Sequence, residues 1–297
     1  MFGGIEAGGT KIVCAVGTGP DDLRDEIRFP TTSPDDTFGR IIEYFSEQNK
    51  TAPISAIGIA TFGPVDLDKK SATFGYITPT TKPGWTNANF YGSIKNAFNV
   101  PVGIDTDVNI AGYGEYKWGA AKNLTDFLYL TIGTGIGGGG FTNGKMMHGL
   151  QHPEMGHILI PQDKSEDPFE GNCPYHKNCF EGLAAGPAIA DRWGKPAQDL
   201  EPDHPAWELE AKYISFALVN YILTLSPQRI ILGGGVMDQE QILPMIMEKV
   251  KPLLGGYVQN PSLLENISDY IVKPALGNKS GILGAIALAE ETFRAEP

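Results

Sequence analysis

The chain has 297 residues, of which 41% are hydrophobic and 20% are charged, enough for two domains with buried cores. Its formal net charge of −12 excludes a general nucleic-acid binder, which needs a basic surface. No apolar run reaches membrane-spanning length, and we expect no signal peptide. Three cysteines are too few for a disulfide scaffold, so the cytoplasm, where thiols stay reduced, is the expected compartment.

The first half of the chain predicts two hairpins with strands and helices between them. Residues 2–16 and 127–141 each read as an apolar strand, a glycine turn and a second strand. After the first hairpin, Ser33 is a good N-cap for a helix with Pro34 at its first position. Strands are then expected at 54–62 and 100–105, and helices near 89–99 and after Asp107.

The second half continues the alternation of strands and helices. Helices are predicted over 204–226, 241–254 and 281–293, and strands over 229–235 and 269–276. Such alternation indicates an α/β protein with mixed sheets. Because the two halves open alike, we expect a duplicated domain with a cleft between the copies.

Three glycine-rich turns follow predicted strands, at Gly8–Lys11, Gly133–Gly140 and Gly233–Gly235. Such a turn lets consecutive backbone N–H groups approach and cradle a phosphate. Any one of them can also be a simple chain reversal. Three turns at strand ends, two of them in matching places in the halves, favour phosphate binding.

Two familiar nucleotide motifs are excluded by their context. Residues 133–138 satisfy G-x-G-x-x-G, but the following residues, GGFTNGK, cannot begin the helix that a dinucleotide fold requires. Residues 139–145 nearly form a P-loop, but Met146 occupies the position of the metal-binding hydroxyl. Asn143-Gly144 instead predicts a hairpin turn.

Two carboxylates flank a strand-to-helix junction at residues 104–109, which read IDTDVN. We expect one of Asp105 and Asp107 to be the N-cap of the helix. The other is then a candidate base that accepts a proton from a substrate hydroxyl during phosphoryl transfer. The spacing alone leaves open which residue has which role.

Thiolate and imidazole groups at zinc spacing occur in Cys173-x₂-His176-x₂-Cys179. A closed structural zinc site needs four ligands, so one is missing from this stretch. The candidates are three upstream histidines, His148, His152 and His157. The site would close the acidic, proline-containing loop 158–172, which we do not expect to be rigid without the metal.

Together these motifs resemble, nearly end to end, the ROK family of sugar kinases and repressors, and within it the bacterial fructokinases. The similar segments are Glu6–Thr10 (first phosphate loop), Gly63–Pro64 (sugar-side loop), Asp105–Asn109 (catalytic turn), Thr131–Gly137 (second phosphate loop), Glu154–His157 with Cys173–Glu181 (zinc signature) and Leu232–Gly235 (adenosine loop). The zinc signature is specific in this context, whereas the glycine loops are specific only in combination.

The resemblance implies an α/β actin-like ATPase fold, with two similar ribonuclease-H-like domains around a central cleft that holds ATP and sugar. We expect an N-terminal domain over 1–115, joined by a C-terminal helix at 281–297. The C-terminal domain is expected over 116–280, with a zinc-binding segment at 154–181.

The implied activity is ATP-dependent phosphorylation of D-fructose to fructose 6-phosphate, with Asp107 as the general base. The resemblance implies sugar contacts from Gly63, Pro64, Thr106, Glu154 and Glu181. It implies ATP contacts from Gly8, Gly9, Thr10, Lys11, Gly133, Thr134, Pro187, Gly233, Gly234, Gly235, Val236 and Met237. Mg²⁺ would bridge the phosphates, with Glu6 acting through water, and structural Zn²⁺ would be bound by His157, Cys173, His176 and Cys179.

The chain departs from the family pattern at three positions. One is His176, which stands where other members commonly have cysteine, a replacement that zinc tolerates. Glu6 stands where the first loop often has Asp, and Thr106 stands where glucokinase-type members have Asn, which argues against glucose. Segment 78–90 is similar to fructokinases. A kinase for another hexose (mannose, glucose or an amino sugar) is the alternative, and a non-catalytic sugar sensor is a distant one.

The resemblance also bears on partners. Repressors of the family carry a DNA-binding segment before the first phosphate loop, which here begins at Glu6, so we expect no nucleic-acid partner. We also expect no membrane partner, and a homodimer.

Overall fold

The computed structural model describes residues 1–296, which form two compact units. Unit 1 comprises Met1–Asn123, Met146–His152 and the chain from Ala275 onward, and unit 2 comprises Leu124–Lys145 and Pro153–Pro274. The predicted domain boundaries near 115 and 280, and the cleft, stay predictions. Among the described helices, none combines the length and apolar character needed to span a bilayer.

The elements up to the first unit boundary are β1 (Phe2–Ala7), β2 (Lys11–Gly19), β3 (Asp22–Pro30), α1 (Pro34–Thr51), β4 (Ala56–Thr61), α2 (Phe90–Ala97), β5 (Val102–Thr106) and α3 (Asp107–Trp118). The later elements are β6 (Phe127–Ile132), β7 (Ile136–Thr142), β8 (Lys145–Met146), α4 (Phe180–Ala184), α5 (Gly186–Trp193), α6 (Ala206–Leu225), β9 (Arg229–Gly233), α7 (Ile242–Leu253), α8 (Pro261–Leu264), α9 (Ile267–Tyr270), β10 (Ile271–Val272) and α10 (Ser280–Ala295).

The two sheets have the same topology. The first has the order β3-β2-β1-β4-β5, and the second, read in the matching direction, has the order β8-β7-β6-β9-β10. Each sheet contains an antiparallel hairpin, β1–β2 or β6–β7. The first strand of each hairpin also pairs in parallel with its other neighbour in the sheet, β1 with β4 and β6 with β9. The predicted mixed sheets and the predicted duplication are therefore confirmed.

Strand register brings the ends of the parallel strands level. In the first sheet Ala7 pairs with Thr61, and Thr61 pairs with Thr106. In the second sheet Thr131 pairs with Gly233. The loops that follow these strands therefore leave each sheet at one edge, which is where ligands of open α/β sheets bind.

Local sequence signals account for most of the elements. Ser33 caps α1 by accepting a hydrogen bond from the Asp36 amide, and the side chains of Phe38, Ile41 and Phe45 on this helix are buried. Asn143 and Gly144 both have positive φ, 52° and 72°, and turn the chain between β7 and β8. No helix begins within residues 133–140, where the dinucleotide motif would require one.

The predicted strand at 269–276 is largely wrong. Asp269 and Tyr270 belong to α9, and only Ile271 and Val272 form a strand, which pairs with β9. Pro274 has no N–H to donate to a ladder, so the strand cannot extend through it.

Helices α3 and α10 of unit 1 pack with their backbones in contact. A Cβ added to Gly284 would lie 1.8 Å from the Ile110 carbonyl oxygen, and one added to Gly114 would lie 2.5 Å from the Ser280 carbonyl oxygen. Side chains at either position would force the helices apart. This close packing attaches the C-terminal helix to the helix that begins at Asp107.

Glu115, near the end of α3, is fully buried. Its Oε2 accepts hydrogen bonds from the amides of Ala120 and Ala275, at 2.6 and 3.0 Å. Its Oε1 accepts from the Leu276 amide and the Ser280 hydroxyl, at 3.0 and 2.7 Å. The carboxylate thus binds two backbone segments of unit 1. One lies shortly before the chain passes into unit 2 after Asn123, and the other begins at Ala275, where the chain returns to unit 1.

Replacing Glu115 by Gln should lower the free energy of unfolding by about 3 kcal/mol, because the new NH₂ group faces backbone donors. The thermal midpoint should fall by several degrees. Glu208→Gln is the control, since this exposed residue makes only a surface ion pair with Lys249, worth about 1 kcal/mol or less. Equal midpoints for the two variants would contradict the role assigned to Glu115.

Candidate functional site

The catalytic turn is built differently from the prediction. Thr106, and neither aspartate, is the N-cap of α3: its hydroxyl accepts a hydrogen bond from the Asn109 amide at 3.3 Å. The prediction of an aspartate cap is wrong because Asp105 still belongs to β5 and Asp107 is already in the first turn of α3. A hydroxyl caps as well as a carboxylate.

The structure separates the two aspartates by accessibility. Asp105 is only 5% exposed, and its Oδ1 accepts hydrogen bonds from the Thr106 amide and from Asn109 Nδ2. Asp107 is partly exposed, and its Oδ1 accepts from the Val108 amide at 2.9 Å. Asp107 is therefore the carboxylate of this turn that a substrate can reach.

Two histidine contacts in unit 1 could not be predicted from the sequence. His148 Nε2 lies 2.8 Å from Asp105 Oδ2, and this hydrogen bond raises the pKa of His148. His152 Nε2 accepts a hydrogen bond from the Val65 amide at 3.2 Å. Neither imidazole lies in the cluster of possible zinc ligands, although both residues were candidates for it.

The first phosphate loop of unit 1 is a tight turn between β1 and β2. The Gly8 amide donates to the Lys11 carbonyl at 2.9 Å, and the Thr31 hydroxyl donates to the Gly8 carbonyl. Gly9, Thr10 and Lys11 are exposed. Lys82, which the sequence did not predict as a site residue, donates from Nζ to the Gly9 carbonyl and places a cation beside this loop.

Glu6 lies at the end of the same strand, with its carboxylate against the start of α10. A Cβ on Gly281 would lie 2.5 Å from its Cδ, and the Ile282 amide hydrogen-bonds to it. Burial raises the pKa of Glu6, and the charge of Lys11 opposes this effect. Part of the role of Glu6 is therefore to hold α10, and its water-mediated contact with Mg²⁺ stays a prediction.

The sugar-side loop follows β4. Its Gly63–Pro64 peptide bond is cis, and the next residue, Val65, is buried. Thr106 was expected to contact sugar, but it is 3% exposed and its hydroxyl is used in the helix cap. Its contact with sugar stays a prediction.

The glycine loops of unit 2 meet at the ends of β6 and β9. The Gly133 carbonyl accepts a hydrogen bond from the Gly186 amide at 2.7 Å, which joins the second phosphate loop to the helix containing Pro187. Gly234 has φ of 92°, and a Cβ there would lie 2.4 Å from the Ile132 carbonyl oxygen. Only glycine fits this approach.

The residues expected at the nucleotide differ in accessibility. Thr134, Pro187 and Gly235 are exposed, so their surfaces are open to a ligand. Val236 and Met237 are each 2% exposed and their side chains belong to the core of unit 2. Contacts from these two residues are therefore limited to the backbone.

The predicted zinc ligands come together in unit 2. One ligand atom from each of His157, Cys173, His176 and Cys179 lies within 4.8 Å of all the others. His157 Nδ1 is 3.5 Å from Cys179 Sγ and 3.7 Å from Cys173 Sγ, and His176 Nδ1 is 3.8 Å from Cys173 Sγ. Tetrahedral zinc with its usual bond lengths places nitrogen and sulfur about 3.6 Å apart, so the donor set fits Zn²⁺.

Backbone geometry pre-forms half of this cluster. Cys173 and Lys177 exchange two backbone hydrogen bonds, and Lys177 has a positive φ of 59°, which closes a tight turn. The His176 amide points at Cys173 Sγ, 3.5 Å away.

The loop over 158–172 has a second anchor, besides the His and Cys side chains that could bind zinc. Asp167 is buried and accepts hydrogen bonds from Tyr213 and Arg192, at 2.6 and 3.1 Å. Burial acts to raise the pKa of Asp167, but these two partners hold it below its ordinary value. Asp167 therefore anchors the loop to α5 and α6, and the dependence of the loop's rigidity on the metal stays a prediction.

Two carboxylates lie beside the cluster. Glu181 Oε2 accepts a hydrogen bond from the Ile136 amide at 2.9 Å, and its Oε1 lies 4.0 Å from His157 Nε2. Burial, and secondarily the charge of Glu181, raise the pKa of Glu154 to about 7. A carboxyl group with a raised pKa can donate as well as accept hydrogen bonds.

Comparison with known proteins supports one family assignment. A family model described as the ROK family matches residues 2–292. A Bacillus subtilis (strain 168) relative is 51% identical over 296 residues, covering 100% of this chain and 97% of the relative. A Pediococcus pentosaceus protein named fructokinase is 44% identical over 294 residues, covering 99% of both chains.

Among solved structures, the chain is similar to a ROK hexokinase from Thermus thermophilus. The TM-score is 0.79 at 26% sequence identity, and the match covers 99% of both chains. The predicted α/β actin-like ATPase fold with two domains is confirmed.

Proposed function

Because this chain belongs to the ROK family, we propose that it is an ATP-dependent fructokinase that converts D-fructose to fructose 6-phosphate. The choice of fructose rests on the full-length relative named fructokinase and on Thr106, whose hydroxyl is used in a helix cap. Threonine at this position has no side-chain amide that could bind a hydroxyl of a pyranose sugar.

The observation that carries the proposal is the position of Asp107. It follows β5 directly, and β5 ends level with β1, whose next residues form the glycine turn of Gly8–Lys11. A partly exposed carboxylate and a glycine turn with exposed backbone thus follow strands that end at one edge of the same sheet. This pairing suits transfer of a phosphoryl group to a hydroxyl.

In the proposed reaction, the hydroxymethyl oxygen of fructose attacks the γ-phosphorus of ATP. The bond from that phosphorus to the bridging oxygen breaks, ADP leaves, and the hydroxyl proton passes to Asp107. The Val108 amide donates a hydrogen bond to Oδ1 of this carboxylate, which orients it at the N-terminus of α3 to accept the proton.

Phosphate binding is assigned to the glycine loops. The turns Gly8–Lys11 in unit 1 and Gly133–Thr134 in unit 2 expose backbone at Gly9, Thr10 and Thr134, and Lys82 adds a cation beside Gly9. Mg²⁺, when bound with ATP, neutralises charge on the phosphate oxygens. Glu6 is the carboxylate of the first loop that would orient its water ligands. The nucleoside is assigned to Pro187 and the Gly233–Met237 loop.

Sugar hydroxyl groups are assigned to the Gly63–Pro64 loop and to two carboxylates of unit 2. Glu181 is oriented by the Ile136 amide, and Glu154 has a raised pKa that lets it donate as well as accept hydrogen bonds.

We assign structural Zn²⁺ to His157, Cys173, His176 and Cys179, which fill all four positions of a closed site. Bound zinc would hold the ends of loop 158–172, next to Glu154 and Glu181. None of the three cysteines forms a disulfide in the described structure, which suits the cytoplasm. The homodimer stays a prediction.

The substrate assignment is tested by comparing kcat/KM for fructose, mannose, glucose and N-acetylmannosamine with ATP and Mg²⁺. Fructose should exceed the others by about 10- to 100-fold, a range that pocket contacts can supply. A higher value for another hexose would replace fructose as substrate. Absence of ADP release with every hexose would favour a sugar sensor.

Replacing Asp107 by Asn should lower kcat by about 10²–10⁴, because the amide cannot accept the proton. Fructose affinity, measured by calorimetry without ATP, should change little, because the isosteric amide keeps the Val108 hydrogen bond. Asp126→Asn, at a partly exposed aspartate of unit 2 whose Oδ1 also accepts from a backbone amide, is the matched control. Near wild-type turnover in Asp107→Asn would refute the base assignment.

The purified protein should contain about one zinc per chain by plasma mass spectrometry. Cys173→Ser and His157→Gln should each lose most of the metal, lower the thermal midpoint and raise the KM for fructose. Tyr175→Phe, an exposed change in the same turn, should alter none of these quantities. Full zinc content in His157→Gln would show that another residue is the fourth ligand.

A further inference from the structure

The segment Met146–His152 packs with unit 1, although the chain on both sides of it belongs to unit 2. All of its residues are described, and only His152 is buried, while Leu150 is fully exposed. Apolar burial therefore contributes little to its position. Hydrogen bonds of its two histidines, one as donor and one as acceptor, attach it to unit 1.

His148 attaches the segment to the catalytic turn. Its Nε2 donates to Oδ2 of Asp105 at 2.8 Å, since a carboxylate can only accept. The other oxygen of Asp105 accepts from the Thr106 amide and from Asn109 Nδ2, at 2.8 and 2.9 Å. Asp105 thus links His148 to residues on either side of Asp107.

The carboxylate of Asp105 sits in a buried position where its rotation would break these bonds. It is 5% exposed, Asn109 is fully buried, and Asn109 Nδ2 is also 3.5 Å from His148 Nε2. A change at His148 therefore acts on the orientation of the turn through Asp105. Misplacement of a reacting group by about 1 Å can cost about 100-fold in rate.

His152 attaches the other end of the segment to the sugar-side loop. Its Nε2 accepts from the Val65 amide at 3.2 Å, and the ring is 3.3 Å from the position that a Cβ on Gly63 would occupy. The imidazole thus contacts the chain on both sides of Pro64. Val65 is buried, so removing the acceptor would leave its amide without this partner.

We propose that His148 and His152 are positioning residues for phosphoryl transfer. His148 orients Asp107 through Asp105, and His152 holds the Gly63–Pro64 loop for the sugar. The inference rests on the proposed function, but neither histidine is assigned contact with the reacting atoms. The two hydrogen-bonding roles are opposite, donor at His148 and acceptor at His152, and each predicts a different kinetic defect.

The test replaces each histidine by Leu and by Gln. His148→Leu should lower kcat about tenfold or more with little change in the KM for the sugar, because orientation of the base is lost. His152→Leu should raise the KM for the sugar and its calorimetric Kd about five- to tenfold, with a smaller effect on kcat. Gln can donate from Nε2 or accept at Oε1, so both Gln variants should recover most of the loss.

A double-mutant cycle tests whether His148 acts through Asp105. In Asp105→Asn, Oδ1 still accepts from Thr106 and Asn109, while the atom facing His148 is changed. His148→Leu should therefore lower kcat much less in the Asp105→Asn background than in wild type. Equal fold-changes in both backgrounds would overturn action through Asp105.

The control is Gln151→Ala, an exposed change in the same segment. It should leave kcat, KM and the thermal midpoint unchanged. The measurements use the hexose that wild type phosphorylates best, so a wrong substrate assignment does not affect the outcome. The inference is overturned, while the proposed function stands, if the wild type is active and the Leu variants match it. The same holds if kcat falls and KM rises by the same factor in both Leu variants. Absence of turnover with every hexose would overturn both proposals.

Discussion

The parallel register of the central strands is the constraint on which the site depends. Because Ala7, Thr61 and Thr106 are paired across β1, β4 and β5, the residues after them leave the first sheet at one level. The phosphate loop, the sugar-side loop and Asp107 are those residues. In the second sheet the pairing of Thr131 with Gly233 has the same effect on its two glycine loops. A register slip of one residue would point every side chain to the opposite face.

Buried carboxylates bound to backbone amides fix α3 relative to the rest of unit 1. Asp105 stands before its first turn, and Glu115 lies near its last, where it binds segments that lead to and from unit 2. Such carboxylates are costly to bury, and the cost is offset only when each oxygen has donors. The helix that carries Asp107 is therefore held at both ends by groups whose hydrogen bonds define one geometry.

Sequence reasoning succeeded where the signal is local. Hairpin turns, the Ser33 cap and the excluded nucleotide motifs follow from residues within a few positions of one another. It failed at the helix cap of the catalytic turn, because Thr106 and the aspartates beside it are all good caps. It also missed Asp167, whose partners Arg192 and Tyr213 lie 25 and 46 residues away along the chain.

The sequence by itself determined the α/β class, the repeated hairpins and the glycine turns, since these depend on periodicity and turn chemistry. It left the fourth member of the predicted metal site open among three histidines. Only the tertiary structure decided that Asp105 is buried while Asp107 is accessible. It also decided that His148 and His152 hydrogen-bond to residues of unit 1 and lie outside the group of possible zinc ligands. The physical reason is that burial and hydrogen-bond partners come from strand register and long-range packing. Residues far apart in the chain determine both, and no local pattern records which of them meet.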